Sequence, residues 1–149
     1  QPPRQHTADR RLLTDFWGDG LQDDENAQIL DELAPTEADT VLTKWRYSAF
    51  VRSPLEEQLK DLGRDQLIIG GIYAHIGCLT TALEAFMRDI QPFMVTDALA
   101  DFTAEEHRMA CEYASGRCAR VLNTAEALEH INAGALVTAD EPELLKVCA

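Results

Sequence analysis

The sequence has no apolar run near the ~20 residues that a membrane-spanning helix needs, and its first residues do not have the pattern of a signal peptide. Basic residues are also few, since 13 Lys and Arg stand against 26 Asp and Glu and give a formal net charge of −13. Because proteins bind phosphate backbones through clustered Lys and Arg, this balance argues against a nucleic-acid partner. We expect a cytoplasmic protein that binds neither membranes nor nucleic acids.

Common catalytic and metal-binding motifs are missing as well. The sequence has no P-loop, no Gly-x-Gly-x-x-Gly or Gly-x-Ser-x-Gly segment and no metal-ligand cluster. No two cysteines form a Cys-x-x-Cys pair, and no histidines stand at zinc-finger spacing from them. This pattern predicts buried or free thiols in a reducing cytosol for all four cysteines, which are Cys78, Cys111, Cys118 and Cys148.

What the sequence does contain is a regular alternation of strands and helices. Its 149 residues are enough for one domain with a substantial core. Apolar strands without polar alternation, separated by helices, predict a parallel sheet covered by helices on both faces. The predicted strands are residues 40–43, 66–69, 92–96 and 119–123. The predicted helices are residues 53–62, 78–88, 103–113 and 124–131.

Local signals add detail at the helix ends and near the N-terminus. Thr103 and Glu106 form a capping box, and Thr124 is predicted to cap the last helix. The apolar cluster at residues 12–17 predicts a short helix or turn that buries one apolar edge. Residues 27–33 are predicted to form a short amphipathic helix.

Parallel sheets bind ligands at the carboxyl ends of their strands, which selects Lys44, residues 71–77 and residues 96–101. Lys44 follows the first predicted strand, where a partly dry cleft would make it a fixed cation or a proton-transfer group with a lowered pKa. The alternative is a lysine that reaches past the rim of the sheet into water. Asp97 and Asp101 are expected to cap turns or a helix end.

The glycine-rich segment after the second predicted strand is the most informative. Gly70 and Gly71 indicate an unusual backbone conformation or a close backbone approach. A helix is predicted to begin at Gly77, where free backbone N–H groups would polarise a carbonyl or hold an anion. His75 either titrates near neutrality or has a structural role. Tyr73 either contacts a ligand or fills a crevice.

Four aromatic side chains near these segments leave two interpretations open. They line a pocket for a small ring, or each packs in the core. Taken one at a time, core packing is favoured. The four are Trp17, Trp45, Tyr47 and Phe50.

Several segments, taken together, match the pattern of one family. They read DR at 9–10, LLTDFWG at 12–18, LTKWRYSAF at 42–50, GRDQL at 63–67, IYAHIG at 72–77, DIQPF at 89–93 and ADF at 100–102. The chain thereby resembles the isochorismatases of the cysteine-hydrolase-like superfamily. The resemblance implies an α/β fold of three layers, αβα, with a mostly parallel sheet of Rossmann type that is incomplete at its N-terminus.

The resemblance implies catalytic roles for Lys44 and Gly77. Lys44 matches the lysine of the superfamily's Asp–Lys–Cys triad, and Gly77 stands where the amidase members carry their nucleophilic cysteine. With glycine there, covalent amide hydrolysis is not available, so a cysteine-dependent amidase is the least favoured function. Cys78, one position on, is expected to point elsewhere.

The resemblance also implies a set of substrate-binding residues. Gln1, Arg10 and Tyr73 match positions that contact substrate in the family, and Trp17 lies in the adjoining loop. Arg10 suits the substrate carboxylates, because a guanidinium pairs with a carboxylate through two parallel hydrogen bonds.

The implied reaction hydrolyses the enol-ether bond of isochorismate to 2,3-dihydro-2,3-dihydroxybenzoate and pyruvate, for a catechol siderophore. A general acid protonates the terminal methylene, water adds and the hemiketal collapses, so no metal or other cofactor is expected. The family's acid is an Asp that precedes a His-Asp-Met-Gln motif, which these residues lack. We expect residues 1–131 to be an isochorismatase-like hydrolase domain lacking its first βαβ portion, and residues 132–149 to be a C-terminal tail.

Two other functions stay open. The same scaffold hydrolyses 2-amino-2-deoxyisochorismate in phenazine biosynthesis, and a chain without its acid could instead be a non-catalytic docking fragment. The expected partners are the substrate isochorismate and either further copies in a homo-oligomer or the missing N-terminal segment. A synthetase or an aryl carrier protein is a further expected partner.

Overall fold

A parallel three-stranded sheet forms the centre of the computed structural model, which describes residues 12–18, 29 and 31–132. The strands lie in the order β1-β2-β3, with β1 at Gln66–Ile72, β2 at Gln91–Ala100 and β3 at Arg120–Leu122. The pairing of β1 with β2 shifts register between Ile69 and Gly71. The irregular glycine backbone predicted from the sequence therefore lies near the carboxyl end of β1.

Helices and helical turns connect and flank the strands. The helices are α1 (Leu12–Trp17), α2 (Leu55–Asp61), α3 (Leu79–Phe86), α4 (Ala104–Arg117) and α5 (Thr124–Asn132). A single 3₁₀ turn occupies Asp31–Leu33, and a π-helical turn at Ala74–Cys78 leads directly into α3. Among the described residues, no helix is long and apolar enough to cross a membrane.

Both faces of the sheet are covered, because alternate residues of β2 point to opposite sides. Met94 packs with small residues of α3 and α4, among them Ala82 and Ala110, whose size allows close approach of the helices. On the other face, Phe93 packs with Ala127 of α5. This is the three-layer α/β arrangement expected from the sequence.

The helix ends show one confirmed cap and one correction. Thr103 caps α4, since its Oγ1 accepts a hydrogen bond from the Glu106 N–H at 3.1 Å. At α5 the cap is Asn123, whose Oδ1 accepts from the Glu126 N–H at 3.0 Å. The prediction of Thr124 was wrong because the hydroxyl of Thr124 donates instead to a carboxylate, Oδ1 of Asp97, at 2.8 Å.

Two other expectations about local structure were wrong, and a third, the helix at residues 27–33, falls partly outside the described residues. Residues 40–43 form no strand, so the described sheet has three strands and not four; Val41 is 65% exposed, and β-branched residues favour a strand only where a pleated surface receives them. Helix α1 buries no apolar edge, since Leu12 and Phe16 are 81% and 76% exposed. Within 27–33, the described residues form only the turn at Asp31–Leu33.

Candidate active site

Lys44 and Gly77 meet at the carboxyl end of β1. Gly77 is buried in the turn after the strand, and a Cβ atom placed on it would lie 2.9 Å from Nζ of Lys44 and 3.6 Å from Cε. Real Cβ contacts are longer than 2.9 Å, so a side chain at residue 77 would displace the ammonium group. The space created by the glycine is thus occupied by the lysine itself.

Burial makes the charged form of this ammonium less favourable than it is in water. Lys44 as a whole residue is exposed to solvent, but its ammonium group lies beside Gly77, which is buried. Burial lowers the pKa of Lys44 from its ordinary value, and a smaller electrostatic effect of Cys78 opposes the change. The described residues place no carboxylate within salt-bridge distance of Nζ. The site therefore presents a partly desolvated ammonium to whatever binds beside Gly77.

Cys78 is not arranged as a nucleophile. Its Sγ points back toward the carbonyl oxygen of Gly70, at 4.0 Å, as the sequence led us to expect. Burial raises the pKa of the Cys78 thiol to about 11, although the charge of Lys44 partly lowers it. The group is consequently a protonated thiol at neutral pH, and a thiol attacks far more slowly than a thiolate. No disulfide joins the described cysteines.

The expected anion-binding N–H groups at Gly77 are already engaged. The carbonyl oxygen of Tyr73 accepts hydrogen bonds from the N–H groups of Ile76, Gly77 and Cys78, at 3.2, 3.0 and 3.2 Å. The expectation was wrong because the helical path begins earlier, at Ala74, so Gly77 lies inside the turn and not at its first free positions.

His75 has a structural partner in Asp101. The Asp101 carboxylate accepts from the backbone N–H of His75 at 2.7 Å and bonds to its Nδ1 at 2.7 Å. Burial alone would raise the pKa of Asp101, but these hydrogen bonds and one from the Phe102 N–H outweigh it and lower the pKa. Asp97 and Asp101 were expected to cap turns or a helix end. Asp97 accepts from the N–H of Thr124, the first residue of α5, whereas Asp101 accepts from the N–H groups of His75 and Phe102 and caps no described helix.

A potential metal-ligand cluster accompanies this pair. His75, Asp101 and Glu106 each offer a ligand atom, and these atoms lie within 4.8 Å of one another. Sequence reasoning missed the cluster because its members come from three different elements. Hydrogen bonds within the cluster explain part of this proximity without a metal, because the backbone N–H and Nδ1 of His75 both bond to the Asp101 carboxylate.

Aromatic rings form one side of the site. Tyr73 stacks on Phe102, with ring centroids 3.9 Å apart, and Trp17 stacks on Phe102 with centroids 6.5 Å apart. The indole N–H of Trp17 donates to the hydroxyl of Tyr47 at 2.6 Å. Sequence reasoning did not select Phe102; its position next to Asp101 at the end of β2 was the available signal.

The predicted aromatic pocket is therefore divided. Trp17 and Tyr47 belong to this group, whereas Phe50 is buried against Ala85 in the core and Trp45 lies under the guanidinium of Arg52. An open depression of about 470 Å³ adjoins the group through Tyr47. Its lining is formed by Leu12, Leu13, Asp15, Phe16 and Tyr47.

The structure thus brings four of the six predicted site residues to one region. Lys44 and Gly77 are in contact distance, Tyr73 begins the turn that contains Gly77, and Trp17 joins Tyr73 through Phe102. Two substrate-binding predictions, Gln1 and Arg10, lie outside the described residues.

Comparisons with known proteins agree on one family. The family model described as the isochorismatase domain matches residues 3–126. Enterobactin synthase component B of Escherichia coli K12 is 60% identical over 129 residues, which are 86% of this chain and 45% of that protein. Isochorismatase of Bacillus subtilis 168 is 58% identical over 88% of this chain and 42% of its own length. The chain spans about half the length of these relatives.

Further likenesses come from a phenazine protein and from solved structures. Phenazine biosynthesis protein PhzD1 of Pseudomonas aeruginosa PAO1 is 49% identical, over 87% of this chain and 63% of its own length. An isochorismatase family protein of Desulfovibrio vulgaris superposes with a TM-score of 0.63 at 30% identity, over 72% of this chain and 56% of its own. A cysteine hydrolase of Pseudomonas syringae, at 22% identity, shares the fold with a TM-score of 0.72, over 89% and 65%.

Proposed function

The chain belongs to the isochorismatase family, and we propose on that premise that it hydrolyses the enol-ether bond of isochorismate to 2,3-dihydro-2,3-dihydroxybenzoate and pyruvate. Identities of 60% and 58% to enterobactin synthase component B and to the Bacillus subtilis isochorismatase support this reaction. Because the chain spans about half of each relative, the activity is proposed for the protein that contains it.

The contact between Lys44 and Gly77 is the observation that carries the proposal. Residue 77 is glycine and so carries no nucleophilic sulfur, and the ammonium of Lys44 lies 2.9 Å from the point where a side chain would begin. A reaction without a covalent intermediate fits such a site: the enol ether gains a proton at its methylene carbon and water adds to the resulting oxocarbenium carbon. Collapse of the hemiketal then breaks the bond between this carbon and the ether oxygen. The hemiketal hydroxyl loses its proton to become the ketone of pyruvate, and the ether oxygen takes up a proton and stays on the ring as a hydroxyl group.

In this reaction Lys44 serves as the fixed cation of the site. A partly desolvated ammonium without a described counter-ion attracts the carboxylate of the enolpyruvyl group and holds it next to Gly77. None of the aspartates in the sequence stands in the family's acid motif, so we assign the protonating acid to a segment outside these 149 residues.

The aromatic group is the proposed binding surface for the ring of the substrate. Tyr73 and Trp17 both stack on Phe102, and Tyr73 directly precedes the turn that carries Gly77. Gln1 and Arg10 complete the proposed contacts by their match to the family, with Arg10 directed to a carboxylate.

A role within a synthetase pathway follows from the same relatives. One of them is named a component of enterobactin synthase, so we place this reaction in the supply of a dihydroxybenzoate precursor to a catechol siderophore. A synthetase or carrier domain and further copies of the chain are the proposed partners, and the cytoplasm is the proposed compartment.

A second substrate is favoured by one specific observation, the 49% identity to the phenazine protein PhzD1. The alternative reaction is hydrolysis of 2-amino-2-deoxyisochorismate by the same steps. Pyruvate release from the two compounds, measured side by side on the full-length protein, distinguishes them. A higher kcat/KM with isochorismate supports the first proposal, and a higher value with the amino compound replaces it by the second.

A further inference from the structure

We propose that Asp101 is a positioning residue of this site, which fixes the turn that carries Gly77 and, through Phe102, the ring of Tyr73. The inference rests on the proposed function for its kinetic consequences, but the contacts themselves do not depend on it. Asp101 follows the last residue of β2, and its side chain has no exposed surface.

The first contact holds the backbone of the turn. Oδ2 of Asp101 accepts from the N–H of His75 at 2.7 Å, and Oδ1 bonds to Nδ1 of the same residue at 2.7 Å. Two residues further on, Gly77 meets the ammonium of Lys44. A shift of the turn would change the distance between Gly77 and Lys44, which is the spacing on which the proposed chemistry depends.

The second contact holds Phe102, the ring on which Tyr73 stacks. Oδ1 of Asp101 also accepts from the N–H of Phe102 at 2.9 Å, at the point where β2 gives way to the loop before α4. The ring of Phe102 stacks on Tyr73 at 3.9 Å between centroids and 23° between planes. One buried carboxylate therefore connects the segment before Gly77 with the ring that supports Tyr73.

The neighbouring charges fit a holding role. The ring of His75 lies between two carboxylates, with Nε2 at 4.0 Å from Oε1 of Glu106. Glu106 in turn is held by the cap residue Thr103 at the start of α4. These contacts connect the turn to the end of β2 and to the start of α4. The three short hydrogen bonds among them, two to His75 and one to Phe102, all end on the carboxylate of Asp101.

The same strand offers a matched control. Asp97 also accepts one backbone and one side-chain hydrogen bond, from the N–H and the hydroxyl of Thr124, each at 2.8 Å. These bonds fix the start of α5, which packs on the face of the sheet opposite α3 and α4. A substitution at Asp97 therefore removes a backbone and a side-chain hydrogen bond, as a substitution at Asp101 does, but leaves the turn at Ala74–Cys78 unchanged.

The test compares Asp101→Ala, Asp101→Asn and Asp97→Ala in the full-length protein, with isochorismate as the probe. We expect Asp101→Ala to lower kcat/KM about ten- to hundredfold, because it removes hydrogen bonds to a charged acceptor, with changes in both kcat and KM. Asp101→Asn keeps one acceptor oxygen and recovers part of the loss. Asp97→Ala lowers the melting temperature but leaves kcat and KM close to the wild-type values.

Hydrogen–deuterium exchange of the peptide that contains residues 73–78 gives a second readout, which needs no activity. We expect these amides to exchange about tenfold faster or more in Asp101→Ala and at the wild-type rate in Asp97→Ala. Unchanged exchange in Asp101→Ala, or equal kinetic losses in Asp97→Ala and Asp101→Ala, would overturn the positioning role. A wild-type protein inactive on isochorismate contradicts the proposed function only, and the exchange result then decides this inference.

Discussion

The ammonium nitrogen of Lys44 lies 2.9 Å from the point where the Cβ of any side chain on residue 77 would stand. Gly77 and Lys44 thus depend on each other: the absence of a side chain at one position sets the location of the charge at the other. Where a nucleophilic sulfur would be attached, this protein has a cation.

Gly77→Ala is the smallest change that tests this dependence. The added methyl group pushes the end of Lys44 aside, and we expect kcat/KM to fall about ten- to hundredfold. The fold is expected to survive, because the obstructing atom is the end of a flexible side chain. Kinetic assays and thermal melting check both statements.

Gly116→Ala serves as the control for that variant. Gly116 lies in α4 with nothing within 4 Å of an added Cβ, so activity should be unchanged and stability should rise by about 0.5–1 kcal/mol. Wild-type activity in Gly77→Ala would show that the position of the ammonium does not matter for the reaction.

The lowered pKa of Lys44 predicts a pH dependence. If the charged form acts, activity falls as pH rises through a value below the ordinary 10.5. The folded state then binds fewer protons than the unfolded state between that value and 10.5, so this group makes the free energy of unfolding increase with pH in the same window. Lys44→Gln should abolish that contribution when the free energy of unfolding is measured as a function of pH. If the variant and the wild type showed the same slope in this window, the lowered pKa of Lys44 would be contradicted.

Cys78 is expected to be dispensable for catalysis. Its pKa of about 11 keeps the thiol protonated, so iodoacetamide at pH 7.5 should leave the rate of pyruvate release unchanged. Cys78→Ala should retain near wild-type kcat and lose about 1 kcal/mol of stability from the core. Rapid inactivation that is absent in Cys78→Ala would indicate a thiol mechanism instead.

Phe102→Leu tests whether the stacked rings of Phe102 and Tyr73 bind the substrate. Removing a ring that stacks on Tyr73 should raise KM about two- to tenfold and change kcat little, because stacked pairs contribute modestly. Phe86→Leu is the control, since Phe86 is 52% exposed and Phe102 is 53% exposed. Equal KM values in both variants would remove Tyr73 and Phe102 from the proposed binding surface.

The sequence was sufficient to predict the layered α/β fold, and the resemblance to the family placed Lys44 and Gly77 in one site. The apolar run at residues 92–95 of β2 is buried on both faces of the sheet, and such a run is directly visible in the sequence. The prediction of a strand at residues 40–43 was wrong because a strand needs a neighbouring strand to pair with. β-branched residues favour an extended backbone, but they do not supply that neighbour.

The hydrogen bonds of the turn could not be read from the sequence. Gly77 resembles a helix start, but the engagement of its N–H with the carbonyl of Tyr73 depends on where the π-helical turn begins. The pairing of His75 with Asp101 joins residues 26 positions apart, and only the register of β1 with β2 brings them together. Such contacts are properties of the fold and not of local pattern.

The most direct test is pyruvate release from isochorismate by the full-length wild-type protein and its Lys44→Ala variant, with Lys60→Ala as control. Lys60 is an exposed lysine paired with Glu56, so its loss should leave kcat/KM unchanged. We predict turnover by the wild type and a loss of about a hundred- to thousandfold in Lys44→Ala, the range for removing one electrostatic stabiliser. No pyruvate release by the folded wild type, or full activity in Lys44→Ala, would contradict the proposed site.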